Sequence, residues 1–388
     1  RVDKTHALPI NHFSQAVSAA EDSEARKEEI FSFIRSNFRT FLDKNSDEKP
    51  FFYWFGPHHS HRQWIRGSGK ELWGLDPDEL KEKLPAFLPD VHDVREDIAD
   101  YLGEALAWDR MVNELIEELK ERGELENTLI IVSGDHGMPG MPRGKCNLHD
   151  FGSMVALLAS WPGEVEGNRR VADFVSLMDI APTVLEAAGI KPPQHMLAKS
   201  FMDVLKSGRS GRVDPSRDHV IIGRERHVGP AQPDRAPYPS RAIRTADYLL
   251  IRNFKPDRLP MGVVYKEHAT EVELLEDHYL AFPDMDGSPT KVFVMKNRAK
   301  YPRFFDFAFS ARPEFELYDL KVDPDQVENV APDPDYAESL ENLTQRLMEI
   351  LEETEDPRVI GEGTTFDQMP FVDPGFVPKP REKKMLGF

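Results

Sequence analysis

Short unbroken apolar runs alternate along this chain with longer stretches in which apolar residues recur every three or four positions. Between Glu21 and Asp43, the residues Ile30, Phe33, Ile34, Phe38 and Phe41 share one helical face, which predicts an amphipathic helix. The run Phe51–Phe55 then predicts a fully buried strand, followed by a loop from His58 to Asp90 rich in Gly, Pro and charge. A second, longer helix is predicted over Asp93–Arg122, with Ile98, Leu102, Leu106, Met111, Leu115 and Leu119 as its apolar stripe and Gly123 as a left-handed cap. Thr128–Val132 and Met154–Ser160 read as buried strands, and Asp179–Ala188 as a helix with an Ala-Pro step in its first turn.

Strand and helix in alternation predict an α/β domain, its mostly parallel central sheet sandwiched by helices. From about Asp218 the texture changes. Short strands follow one another (His219–Ile222, Ser240–Thr245, Tyr248–Arg252, Glu316–Asp319) before a final helix, Asp335–Leu351. This predicts a smaller C-terminal α+β subdomain built on an antiparallel sheet, so the expected division is 1–215 and 216–388. In an open α/β sheet, ligands bind beyond the carboxyl ends of the strands. Gly56–His61 and Ser133–Gly137 both fall there.

Composition narrows the picture. The 388 residues carry a formal charge of −19, which excludes nucleic acid and anionic membrane as bulk partners. No apolar stretch approaches the roughly 18–20 residues needed to span a bilayer. Cys146 is the only cysteine, so no intrachain disulfide forms. The chain opens at Arg1 with neither Met nor a basic leader, so its true N-terminus is expected elsewhere.

The chemistry gathers at Ser133-Gly134-Asp135-His136-Gly137, where a carboxylate and an imidazole share a Gly-flanked turn after a strand. Such a turn is either a capped surface loop or a pair of metal ligands. Gly144-Lys145-Cys146-Asn147-Leu148-His149-Asp150-Phe151-Gly152 follows, then Val155–Pro162, an apolar strand ending in Trp-Pro. This order resembles the type I sulfatases of the alkaline phosphatase superfamily, in which Asp-Asn-Gly or Asp-His-Gly precedes Gly-Lys. Further elements fall in register. Lys4 and His6 resemble the family's Gly-Lys-x-His pair, with Asp3 in place of Gly; His61 is similar to its Pro-His histidine, with Ser60 in place of Pro. Ser176–Thr183 resembles its Asp-hydrophobe-x-Pro-Thr helix start, and Glu316–Leu320 with Asp323-Pro324 and Glu328-Asn329 its C-terminal strand signature.

The resemblance implies a calcium-dependent hydrolase of sulfate esters or sulfamates. Asp135 and His136 would hold the metal, although imidazole is a soft partner for calcium. Lys4 and Lys145 would bind sulfate oxygens, His6 would assist the nucleophile, and His61 would protonate the leaving group. Residues that the family places earlier are missing: no Asp-Asp pair and no Cys/Ser-x-Pro-x-Arg sequence occurs here. The formylglycine nucleophile and remaining metal ligands would therefore come from an N-terminal segment of the same protein, on the order of 100 residues if built from several βα units. Residue chemistry alone leaves other readings open. Lys4 and His6 can be a solvated pair at a chain end, and His58, His59 and His61 a zinc cluster, though one loop seldom wraps three neighbouring ligands around one ion. Cys146 lacks the modification context and reads as a buried, inert thiol.

Arg224, Arg226, His227 and Arg241 bring cations to where the second subdomain meets the site. They suit capture of sugar carboxylates or hydroxyls; Arg241 and Arg244 can equally brace a strand. Trp64 and Trp73 suit either a sugar-facing wall or the core. These elements are most similar to the branch holding heparan N-sulfatase and bacterial polysaccharide sulfatases, implying a sulfated glycan or small sulfate ester as substrate and a periplasmic, secreted or lysosome-like setting. Two alternatives stand beside this: a phosphatase or phosphonate monoesterase of the same superfamily, and a non-catalytic protein that binds sulfated glycans.

Overall fold

A computed structural model describes residues 9–45 and 49–369; Lys4 and His6 lie outside them. The first helices are α1 (Phe13–Ser18) and α2 (Ser23–Asp43). α2 starts where Asp22 accepts a hydrogen bond from the Ala25 amide, 2.9 Å, and buries Ile30, Phe31, Ile34 and Phe38. Two further helices complete this layer, α3 (Ser68–Trp73) and the long α4 (His92–Glu121). α3 crosses α4 at backbone contact: a Cβ on Gly69 would lie 2.2 Å from the Ala99 carbonyl oxygen. Gly123, with φ +72°, ends α4 as its cap.

The buried face of α4 is not the stripe its leucines suggest. Leu102 and Leu106 are exposed, while Val94, Ala99, Ala107 and Met111 are buried together with Asp97, Asp100 and Glu104. Those acids recur at helical spacing, so one face of α4 carries carboxylates into the core. Each meets a loop. Asp100 accepts from the Gly67 and Gly69 amides at 2.9 and 2.8 Å, fixing the entry to α3. Asp97 accepts from Arg62 Nη1 at 2.7 Å and from Thr290 Oγ1 at 2.6 Å. Glu104 is 2% exposed, and burial pushes its carboxyl up to about 7, outweighing what Ser14 contributes.

The segment Phe51–Phe55 is extended but forms no strand, which corrects the sequence expectation. Nor is it fully buried, because its side chains alternate between two faces. Phe51 and Tyr53 pack on Phe38 and Phe41 of α2, with Tyr53 and Phe38 ring centroids 4.6 Å apart, while Phe52 and Trp54 are 66% and 79% exposed.

Strands β1 (Ile130–Ser133) and β2 (Leu157–Ser160) pair antiparallel, Ile130 opposite Ser160. Parallel pairing does not occur between named strands among the described residues. Helix α5 (Ile180–Ala187) follows a turn in which Ser176 and Asp179 cap each other's backbone.

The second sheet takes the order β3-β4-β5-β6, antiparallel throughout: His219–Arg224, Ser240–Thr245, Tyr248–Asn253 and Phe315–Asp319. Residues 254–314 form an excursion between β5 and β6 that carries α6 (Glu271–Glu276), α7 (Pro289–Lys296) and α8 (Pro302–Phe309). The sheet's two faces divide by the two-residue strand period. Ile243, Leu250 and Leu317 pack on Leu347 and Leu351 of the terminal helix α9 (Ala337–Glu353). Ala242, Leu249, Ile251 and Tyr318 pack on Leu148, which anchors the Gly-Lys loop to this sheet. No helix among the described residues is long and apolar enough to cross a membrane.

Two outcomes are expected from the acidic face of α4. The Glu104 carboxyl titrates at about 7 in the folded chain, against an ordinary value of 4.5. Its neutral form favours folding fully below 4.5, and that contribution is lost as pH rises through about 7. Glu104→Gln therefore gains about 3 kcal/mol relative to wild type between pH 4.5 and 7, with no further gain above, in urea titrations. Asp97→Ala leaves a buried Arg62 cation unpaired and costs about 3–5 kcal/mol in the same measurement. A loss below 1 kcal/mol would show that the Arg62 contact is dispensable.

Candidate active site

The turn after α1 and α2 brings His61 to one wall of the site. The His61 amide donates to the His58 carbonyl at 3.0 Å, and its Nδ1 lies 2.9 Å from the Arg62 carbonyl. That acceptor fixes the proton on Nδ1 and turns Nε2 outward. His59 points the other way: it is 2% exposed, its Nε2 lies 3.0 Å from the Glu104 carbonyl, and burial lowers its ring to about 4. The three neighbouring histidines thus do not converge on one ion.

Lys145 comes from the loop after β1. A Cβ on Gly137 would stand 1.8 Å from the Phe151 carbonyl oxygen, so the loop folds on itself only with glycine there. The Gly137 amide donates to Gly152 at 2.9 Å and the Lys145 amide to Met138 at 3.0 Å. Lys145 Nζ thereby comes within 3.0 Å of His61 Nε2, across residues far apart in sequence.

A third group was not found by sequence reading. Asp286 Oδ2 is 3.3 Å from Lys145 Nζ, and Oδ1 is 3.9 Å from His61 Nε2. Burial alone would raise this carboxyl, yet Lys145, His61 and His278 hold it below the usual range. Asp286 sits in the excursion before α7, where no motif marks it. The available signal was Ser288-Pro289, an N-cap followed by proline at the first helical position, which announces a helix with an acid poised just ahead of it.

The excursion is held rigid from within. Lys291 is fully buried and donates to the carbonyls of Met285, Phe282 and His278 at 2.6, 3.1 and 3.3 Å. Burial lowers its ammonium to about 7. Ser288 Oγ donates to the Gly140 carbonyl at 2.6 Å, joining the excursion to the lysine loop.

Of the four residues expected to meet substrate, Arg241 is corrected. Its side chain is 6% exposed, with Nε 2.7 Å and Nη2 2.9 Å from the Asp356 carboxylate and Nη2 2.8 Å from Glu225. It braces the strand and offers no fork to a ligand. Arg224 is likewise buried, paired with Asp284 and donating to the Pro260 carbonyl. His227 is partly exposed, with Nδ1 3.4 Å from Asp284, and it also contacts the Cys146 thiol. Asp284 and then Cys146 raise its ring to about 10. Cys146 is only partly buried, so the expectation of a fully enclosed thiol does not hold. Arg226 donates to the carbonyls of Arg235 and Met369, at 2.5 and 2.9 Å. Trp64 lies beneath Arg62 and Trp73 against Phe13, as packing residues.

Asp135 and His136 stand at the end of β1, the Asp135 side chain 88% exposed. His136 Nδ1 lies 2.8 Å from the Gly137 carbonyl, and its Nε2 lies 3.5 Å from Asp135 Oδ2. These two atoms can face a single cation, so the residues present fit part of a metal site. They do not form a three-ligand cluster: the only such group among the described residues is His92, Asp93 and Glu96, where Arg66 pairs with both acids.

Comparison with known proteins gives the context. Residues 22–190 match the sulfatase family, and residues 144–259 match the family N-sulphoglucosamine sulphohydrolase, C-terminal. The chain is 27% identical to the human N-sulphoglucosamine sulphohydrolase, covering 92% of this chain and 72% of that one. It is 24% identical to an ulvan-active sulfatase of Formosa agariphila, covering 76% of this chain but 44% of the relative. A Bacteroides thetaiotaomicron structure from work on the metabolism of multiple glycosaminoglycans shares the fold with a TM-score of 0.57 at 17% identity, over 89% of this chain and 62% of that one. With the ordered motifs and the α/β fold with its antiparallel C-terminal sheet, these matches support a chain that is sulfatase-like over residues 22–259 and similar to the type I sulfatases of the alkaline phosphatase superfamily.

Proposed function

We propose that this chain supplies the sulfate-binding and acid half of an enzyme that hydrolyses a sulfate ester or sulfamate on a sugar or polysaccharide. The observation that carries the proposal is the 3.0 Å approach of Lys145 Nζ to His61 Nε2. An ammonium and an imidazole side by side meet the two demands of sulfate-ester cleavage, a cation on the sulfate oxygens and a proton for the departing atom. Lys145 binds sulfate. His61 hands its proton to the leaving oxygen or nitrogen. Lys4 and His6 complete the clamp and assist the nucleophile.

Asp135 and His136 would hold a calcium ion, which when bound supplies Lewis-acid polarisation of a sulfate oxygen. The remaining ligands and the formylglycine nucleophile come from a segment outside this chain. The exposed apolar residues Phe52, Trp54, Met154 and Leu158, 59–79% exposed, support a partner surface beside the strands. His227, half-buried near the lysine loop, and Arg226 face the sugar. The relatives' names support a sulfated glycan as substrate, and that of a Drosophila melanogaster extracellular sulfatase, 37% identical over 118 residues, supports a location outside the cytosol.

In the complete enzyme, Lys145→Ala lowers kcat/KM for sulfate esters at least about a hundredfold, as loss of an oxyanion-stabilising group does, with an unchanged circular dichroism spectrum. Retained turnover would remove Lys145 from the clamp. His61→Ala slows sugar sulfates far more than aryl sulfates, because only poor leaving groups need the proton. Equal losses on both substrates would show that His61 is not the acid.

A further inference from the structure

Lys145 and His61 present a physical difficulty that the catalytic reading does not resolve. A protonated imidazole 3.0 Å from an ammonium is a close pair of like charges, which repel. Yet the reading above requires both charges at once. A carboxylate lies against the two of them: Asp286, 13% exposed in its side chain, with one oxygen toward each cation. Oδ2 is buried and makes no well-directed hydrogen bond, so its contact with Lys145 is electrostatic rather than directional.

Nothing about this carboxylate is loosely placed. Met285, its predecessor, is held through its carbonyl by the buried Lys291 ammonium. Ser288, two residues on, caps α7 by accepting from the Lys291 amide at 2.8 Å and is tied to Gly140 in the lysine loop. Thr290 is fixed to Asp97, which also fixes Arg62 beside His61. One polar framework therefore sets all three groups.

We propose that Asp286 is a positioning residue, a counter-ion shared by the sulfate-binding lysine and the acid histidine, which competes with the substrate's sulfate for Lys145 while allowing both cations to exist side by side. This rests on the sulfatase reading above. It has an unusual signature. Removing the carboxylate leaves the ground state more attractive to an anion and the proton-transfer step poorer. KM and kcat should then fall together, whereas mere structural damage raises KM and lowers kcat on every substrate.

The test uses the full chain with inorganic sulfate as probe, followed by kinetics of the complete enzyme. Asp286→Asn and the smaller Asp286→Ser each tighten sulfate binding about tenfold in calorimetry, in keeping with removal of one rival charge from a desolvated cluster. Asp286→Glu, which restores the charge, returns affinity toward wild type. On sugar sulfates Asp286→Asn lowers KM and reduces kcat at least about tenfold, the scale of general acid catalysis partly lost. Aryl sulfate turnover stays within about threefold, since good leaving groups need little protonation. Weaker sulfate binding in both neutral variants, or equal kcat losses on sugar and aryl sulfates, overturns the shared counter-ion. Failure of the wild-type chain itself to bind sulfate would instead overturn the sulfate-binding role of Lys145 on which it rests.

Discussion

One buried carboxylate, Asp97, determines how the parts of this site meet. It lies on the inner face of α4, with Arg62 on one oxygen and Thr290 on the other. Arg62 follows His61 in the chain, and Thr290 opens the helix that follows Asp286. Two segments more than 200 residues apart are therefore held to a common point by a single residue on a third. Because Arg62 is also desolvated, the contact is all or nothing: an ion pair this deep either forms fully or leaves an unacceptable charge behind.

The same face of α4 explains why hydrophobic periodicity located the helix but misjudged its orientation. The extent follows from spacing alone and agrees with the structure to within a residue at each end. The side that faces inward does not follow, because Asp97 and Asp100 are inward to bind distant segments that no local pattern reveals, and Glu104 is buried on the same face. Leu102 and Leu106, apolar and correctly spaced, look outward instead. Phe51–Phe55 failed in a related way. Its residues are apolar on both faces, but only one face meets α2.

Legibility of the site followed the same division. His61 and Lys145 stand in motifs whose order along the chain is informative, and the structure brings their nitrogens together. Asp286 carries no motif; its relevance arises from the return of the 254–314 segment to the lysine loop, a long-range event. The C-terminal sheet was readable because its strands are each marked by a short apolar run, although the pairing of β5 with β6 spans residues 254–314. The arginines on it were not: Arg241 and Arg244 are three residues apart on β4 and so point to opposite faces, and both are consumed by acids, Asp356 and Asp150. A guanidinium on a strand has the same appearance in sequence whether it awaits a ligand or already holds one.

Strands β5 and β6 are hydrogen-bonded neighbours, so residues 254–314 leave the sheet and come back to the place they left. The ends of such a loop are fixed whatever its length, and lengthening it costs only a slowly growing entropy. The segment bearing Asp284, Asp286 and Lys291 can thus be rewritten, shortened or extended during divergence without moving a single rung of the ladder. In this architecture the register of the ladder is independent of the length of the segment that tunes the site's charge.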